Sequence, residues 1–99
     1  MNMQNLMAQA QKMQRDIQKK QDEINKTEYE GKSQIVTVKI NGKKEILDLK
    51  IEKSILNDQE DLEMLEDMIK IALNDAFSKV EKDINSKLGM YGKGLNGLI

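Results

Sequence analysis

The stretch VTVKINGKKEILDLKI, residues 36–51, decides the fold. Val36, Val38 and Ile40 alternate with polar residues, and Leu47, Leu49 and Ile51 do so again. That period of two belongs to strands with one buried face. Asn41-Gly42 between them signals a chain reversal. A two-residue turn there sets Val38 opposite Glu45, whereas a four-residue loop, Asn41 to Lys44, sets Val38 opposite Leu47 and Val36 opposite Leu49. Burial of both apolar rows favours the longer loop. Upstream, Thr27 to Glu30, with Tyr29 as its apolar member, reads as a short first strand that turns at Gly31. The expected strands are about 27–30, 35–40 and 45–52, forming a three-stranded antiparallel meander.

On both sides of this segment the period changes. Met3, Leu6, Ala10, Met13, Ile17 and Ile24 recur in steps of three and four, with Lys20 at the position where the next apolar residue belongs. This is a heptad seam on one long helix, 3–26, too weak at Ala10 and Lys20 for an autonomous coiled coil. Such a helix packs on something else for part of its length. Downstream, Ser54-Ile55-Leu56 makes a brief turn, and Asn57 or Asp58 caps a second helix over about 59–88. Its first turns hold Asp58, Glu60, Asp61 and Glu63, where carboxylates favour the positive end of the helix dipole. From Leu62 to Leu88 the apolar stripe is wide enough to meet both a sheet and a second protomer. Asn74-Asp75 interrupts that stripe and suggests a hydrogen bond to a neighbouring strand, a contact with a partner chain, or solvent exposure. Residues 89–99 hold four of the six glycines, which predicts a flexible tail after a single domain spanning 1–88. The fold class is α+β in the order α-β-β-β-α.

The 99 residues are 38% apolar and 33% charged, with one Phe, two Tyr and no Trp. A core this poor in aromatic mass gains from a second copy, so a homodimer is expected. The chain has neither Cys nor His. That removes the commonest general base, the thiolate nucleophile and the usual transition-metal ligands, so no catalytic, cofactor or metal residues are predicted. No stretch approaches the ~18 consecutive apolar residues of a membrane span, and the basic-then-apolar layout of a signal peptide is missing. The chain reads as cytoplasmic. Glu60, Glu63 and Asp67, with Glu66 beside them, share a helical face, but a solvated acidic helix start explains them better than a Mg²⁺ site. Gly-Lys occurs at Gly31, Gly42 and Gly92 without the spacing of a phosphate-binding loop.

Net charge is −1, and its distribution is uneven. Residues 1–27 carry a net +2, 28–57 a net +1, 58–75 a net −6 and 76–99 a net +2. In the first helix Lys12, Arg15, Lys19 and Lys26 fall within roughly a 60° arc at 100° per residue, on the face away from the seam. A cationic ridge of this kind tracks phosphates, although Asp22 weakens it.

Taken in order, MAQAQKMQRDIQKKQDEI (Met7 to Ile24), VTVKINGKKEILDLKI (Val36 to Ile51), SIL (Ser54 to Leu56) and EMLEDMIKIALNDAFSKVEK (Glu63 to Lys82) span nearly the whole chain. Their combination resembles the YbaB/EbfC family of bacterial nucleoid-associated proteins. The resemblance implies a small α-β-β-β-α homodimer with projecting helices that binds double-stranded DNA in the nucleoid and alters its conformation. It implies no enzyme activity, small-molecule substrate, cofactor or membrane partner. Lys12, Arg15, Lys19 and Lys26 are the first candidates for phosphate contacts, with Lys20 joining them if the seam frays; Lys79, Lys82, Lys87 and Lys93 come second. Gln11, Gln14 and Gln18 reach base edges only if the helix enters a groove. The leading alternative is a coiled-coil adaptor or chaperone-like dimer gripping a protein partner through its Met-rich helix. A hydrolase acting through Glu60, Glu63 or Asp67 is a distant third.

Overall fold

The first helix, α1 (Met3–Lys26), starts where the Asn2 side chain accepts the Gln4 N–H at 2.7 Å. It stops at Thr27, whose extended backbone returns its N–H to the carbonyls of Glu23 and Ile24. The computed structural model describes residues 2–91 and continues with β1 (Glu28–Ser33), β2 (Val36–Asn41), β3 (Ile46–Ile51), a 3-10 turn (Lys53–Ile55) and α2 (Gln59–Leu88). A second 3-10 turn, Gly89–Tyr91, follows. The rest of the expected tail, 92–99, lies outside the described residues. Asp58 rather than Asn57 caps α2: its carboxylate accepts the Asp61 N–H at 3.0 Å, and Asp61 returns the bond to the Asp58 backbone. This reciprocal box accounts for part of the acidic block without any ligand.

The three strands form one antiparallel sheet in the order β1-β2-β3. The sequence puts the first reversal at Gly31, but β1 runs on to Ser33 and reverses through Gln34-Ile35, with φ 46° at Gln34. Gly31 sits mid-strand because α2 crosses it: a Cβ there would collide with the Ala72 carbonyl oxygen and the Ala76 backbone nitrogen. The second hairpin also differs from expectation. Its loop is Gly42–Lys44, closed by Lys44 N–H to Asn41 O at 2.9 Å and Asn41 N–H to Glu45 O at 3.1 Å, with Lys44 left-handed at φ 65°. That is the three-residue loop followed by a bulge, and the bulge falls at Leu47. Relative to a four-residue loop the shorter loop moves the register by one and the extra residue by one more, so Val38 faces Leu49 and Val36 faces Ile51. A shift of two keeps Leu49 and Ile51 on the inward face, but before the bulge Ile46 stands opposite Ile40, in the row that alternation gives to Leu47. Gly42 is required by close approach rather than by the turn: a Cβ would strike the Ile24 carbonyl at the end of α1.

One face of the sheet carries α2. Met68, Ala72, Ala76, Val80, Ile84 and Leu88, four residues apart, form its buried row against Tyr29, Val36, Val38 and Ile40, and Ile24 of α1 closes the end. A row on one flank of α2 grips β1. The Asp75 carboxylate accepts the Lys32 N–H at 3.1 Å, the Lys79 ammonium donates to the Glu30 carbonyl at 2.6 Å, and the Tyr29 hydroxyl donates to Asp83. Asn74-Asp75 therefore interrupts the apolar pattern because Asp75 bonds a strand. Ile69, Leu73 and Phe77 lie on the opposite flank, toward β3, and are only partly buried. The inward row that alternation predicts as buried on β3, Leu47, Leu49 and Ile51, is largely open: Leu47 is 50% exposed and Leu49 38%, and Ile46, which takes the place opposite Ile40, is 54% exposed. The helix sits over β1 and β2 and leaves β3 uncovered.

The two helices meet only near their C-terminal ends. Gln21 and Asn25 of α1 face Glu81, Ile84 and Asn85 of α2 across a polar groove, and Lys20 reaches Tyr91. Antiparallel helices of about 36 and 45 Å with so short an overlap account for the extents of 71 × 20 × 15 Å. The molecule is a rod with the N-terminal arm of α1 at one end and the acidic start of α2 at the other.

Candidate nucleic-acid interface

Among the described residues α1 is anchored from Ile17 onward. Ile24 is buried, Ile17 packs against the core from its edge, and Lys20 lies 5.1 Å from the Tyr91 ring centroid with its ammonium 3.4 Å from the Tyr91 hydroxyl. Within the seam, between Ile17 and Ile24, an aromatic face thus takes the place of an apolar partner at Lys20. N-terminal to it, Met3, Leu6, Met7 and Met13 are exposed.

On the other side of α1, Lys12, Arg15, Lys19 and Lys26 all project into solvent. No ion pair holds any of the four among the described residues. Asp22, which interrupts this ridge, is occupied by the Gln18 side-chain amide at 2.9 Å. Four free cations along a rigid rod over about 21 Å match the repeat of a phosphate strand better than they match a point-like ligand.

The second set of basic residues is differently placed. Lys79 is tied to Glu30 and pairs with Asp75 at 3.5 Å, and Lys87 pairs with Asp83 at 3.0 Å. Both serve the contact between α2 and β1, and their carboxylates respond. The Lys32 N–H, aided by the charges of Lys79 and Lys82, holds Asp75 below the usual carboxylate range against an opposing effect of desolvation. Burial pushes Asp83 up, but bonds from Tyr29 and Lys87 outweigh it and leave the group depressed. Tyr29 is raised to about 12, first by burial and then by the Asp83 carboxylate. Lys82 is exposed, and Lys93 lies outside the described residues.

The hairpin adds basic residues that the sequence does not single out. Lys43 lines a notch with Asp22 and Lys26, while the neighbouring Lys44 turns to Glu81 at 2.8 Å. The signal is Gly42, which seats the hairpin tip on the end of α1, but its partner is invisible until the chain folds. The carboxylates Glu60, Glu63 and Asp67 are exposed on α2, and no metal-binding grouping occurs among the described residues.

The fold and this surface define a small α-β-β-β-α protein whose projecting helix carries an unpaired cationic face. Residues 1–95 match the family described as the YbaB/EbfC DNA-binding family. A nucleoid-associated protein of Lactococcus lactis subsp. cremoris (strain MG1363) is 45% identical over 96% of this chain and 97% of its own length. Another from Enterococcus faecalis is 41% identical over 97% of this chain and 93% of its own. The crystal structure of an uncharacterized protein from Helicobacter pylori superposes with a TM-score of 0.72 at 29% identity, covering 93% of this chain and 99% of that one. The chain belongs to the YbaB/EbfC DNA-binding family. No helix among the described residues is long and apolar enough to cross a membrane.

Proposed function

We propose that the protein is a non-enzymatic homodimer of the cytoplasmic nucleoid that binds double-stranded DNA through α1, alters its conformation, and so contributes to nucleoid organisation or gene regulation. The observation that carries this reading is the ridge Lys12, Arg15, Lys19 and Lys26, free of ion pairs on a helix that projects from the core. Homodimerisation is supported by the incompletely covered apolar side chains of β3 (Ile46, Leu49) and of the flank of α2 (Ile69, Leu73, Phe77). No described element of the monomer covers it, and an uncovered edge strand invites another chain. The exposed methionine seam also suits the adaptor reading, in which a protein partner replaces DNA.

Salt separates the two. Fluorescence anisotropy on a DNA duplex is expected to show affinity falling linearly with log salt, with each phosphate contact contributing a slope of about −0.9. Changing Lys12, Arg15 and Lys19 together to Glu is expected to abolish binding while the thermal melt stays unchanged. Undiminished affinity in that variant would remove the ridge from the mechanism, and no binding by the wild type at low salt would favour the adaptor.

A further inference from the structure

Two apolar stripes meet at the foot of the α1 arm, and each carries one exception there. On α1 the stripe runs Ile17, Lys20, Ile24, with a lysine where the spacing calls for an apolar residue. On α2 the buried row Val80, Ile84, Leu88 does not stop with the helix. Gly89 stays right-handed at φ −59°, the chain makes one more turn, Gly89–Tyr91, and the next position of the row is Tyr91. We propose that this last turn is a latch on α1 with Lys20 as its catch, so that Lys20 positions the DNA-binding helix instead of contacting phosphate. The proposal rests on the DNA-binding reading of α1 above and adds how that helix is held and which of its lysines is withdrawn from DNA.

Three observations carry it. The first is contact. The Lys20 ammonium donates to the Tyr91 hydroxyl at 3.4 Å and to the Met90 sulfur at 3.6 Å, and lies 5.1 Å from the Tyr91 ring centroid. Because it sits nearer the hydroxyl than the ring centre, the oxygen is its main acceptor and the ring adds a weaker attraction. The second is exclusivity. Among the described residues Lys20 is the one cation of α1 whose side chain has a polar partner. It is also half-buried, whereas Lys12, Arg15, Lys19 and Lys26 are exposed. The third is direction. At 100° per residue Lys20 stands roughly 80–140° round the helix from the four ridge residues, on the seam side. A phosphate strand that follows the ridge passes it by.

A lysine suits this place for a physical reason. Tyr91 is only partly covered, so an apolar residue at position 20 would gain burial on one side alone. A lysine lays its methylene stem along the same stripe and puts its charge on the tyrosine oxygen. The contact joins positions 71 apart in the chain, so it ties the turn after α2 to the helix that carries the ridge. Loss of the chain from Met90 onward would therefore be felt in α1, although neither Met90 nor Tyr91 belongs to the ridge.

Hydrogen exchange and DNA titration together test the latch. Lys20→Ala should speed exchange of the amides of residues 17–26 about fivefold, and Tyr91→Ala somewhat more because its ring also packs on the core edge. The amides of β1, β2 and the middle of α2 should keep their protection in both. Since the two changes remove one shared contact, the double variant should exchange no faster than Tyr91→Ala alone. Lys20→Arg keeps a cationic donor and should stay within about twofold of the wild type. In fluorescence anisotropy on a DNA duplex, Lys20→Ala should leave the slope of log affinity against log salt unchanged, whereas Lys19→Ala should reduce it by about 0.9. Unchanged exchange in both single variants, or a double effect equal to the product of the two, overturns the latch. A slope reduced by about 0.9 in Lys20→Ala overturns the withdrawal of Lys20 from phosphate. Absence of DNA binding by the wild type overturns the DNA reading alone, because the exchange measurements decide the latch without it.

Discussion

Gly42→Ala should loosen α1 without unfolding the rest of the protein. The hairpin tip comes closest to α1 at Gly42, where an added methyl group would enter the carbonyl oxygen of Ile24 and a methyl of its side chain. The carbonyl belongs to the last turn of a helix and cannot move by itself, so either the hairpin lifts or α1 swings away. What holds α1 down is modest. Burying Ile24 fully contributes about 2 kcal/mol and half-burying Ile17 about 1 kcal/mol, with a further fraction from Lys20 on Tyr91. A docking free energy near 3.5 kcal/mol leaves a few tenths of a per cent of molecules with α1 detached. Overpacking of this kind costs about 2 kcal/mol, which raises that fraction to several per cent, roughly thirty-fold. Hydrogen exchange followed by mass spectrometry reads this directly. Amides of residues 17–26 should exchange about thirty-fold faster in the variant, while those of β1, β2 and the middle of α2 keep their protection. Uniform acceleration across all elements, or unchanged exchange in α1, would show that Gly42 is not the anchor described. Because α1 carries the ridge, the same variant should also lose DNA affinity.

Two further outcomes test the helix-sheet contact. Gly31→Ala puts a methyl group into the backbone of α2 at Ala72 and Ala76, between two regular elements that cannot relax separately. The loss should be global, about 3 kcal/mol or a fall in melting temperature of roughly 15 °C for a domain of this size, checked by thermal circular dichroism. Tyr29→Phe removes the hydroxyl that donates to Asp83 and should cost about 1 kcal/mol near neutral pH. Tyr29 is raised to about 12 in the folded state, so its contribution is complete below the ordinary tyrosine value of about 10 and is lost as pH climbs from there toward 12. Asp83 is depressed, so its contribution is present above the ordinary aspartate value and disappears as pH falls through the folded one. Urea melts of both proteins across alkaline pH should therefore converge, and a stability gap that stays constant up to pH 12 would contradict this assignment.

Local chemistry was legible in the chain before it folded. The seam from Met3 to Ile24, the alternation in Val36–Ile40, a cap at Asn57 or Asp58 and the cationic arc on α1 each depend on spacings of a few residues. Helical and strand periodicity convert such spacings into faces without any knowledge of what lies opposite. The family resemblance rests on the same level, the order of those segments.

What sequence could not carry was partnership across distance. Gly31 and Gly42 read as turn residues, and only the crossing of α2 and the end of α1 show that they are places where two backbones nearly touch. Asp75 and Lys79 read as an ordinary i,i+4 helical pair until β1 arrives and each of them bonds its backbone. The three-residue loop and the bulge at Leu47 change the partners along β3 and set Ile46 rather than Leu47 opposite the inward Ile40, which strict alternation does not record. The exposed inner side of β3 follows from where a 30-residue helix comes to rest on the sheet. The sequence by itself determined which side of each element is apolar or charged, because that is a property of one helix or strand. Which of those sides are covered, and which are left for DNA or a second chain, was decided only by tertiary structure, because burial belongs to pairs of elements.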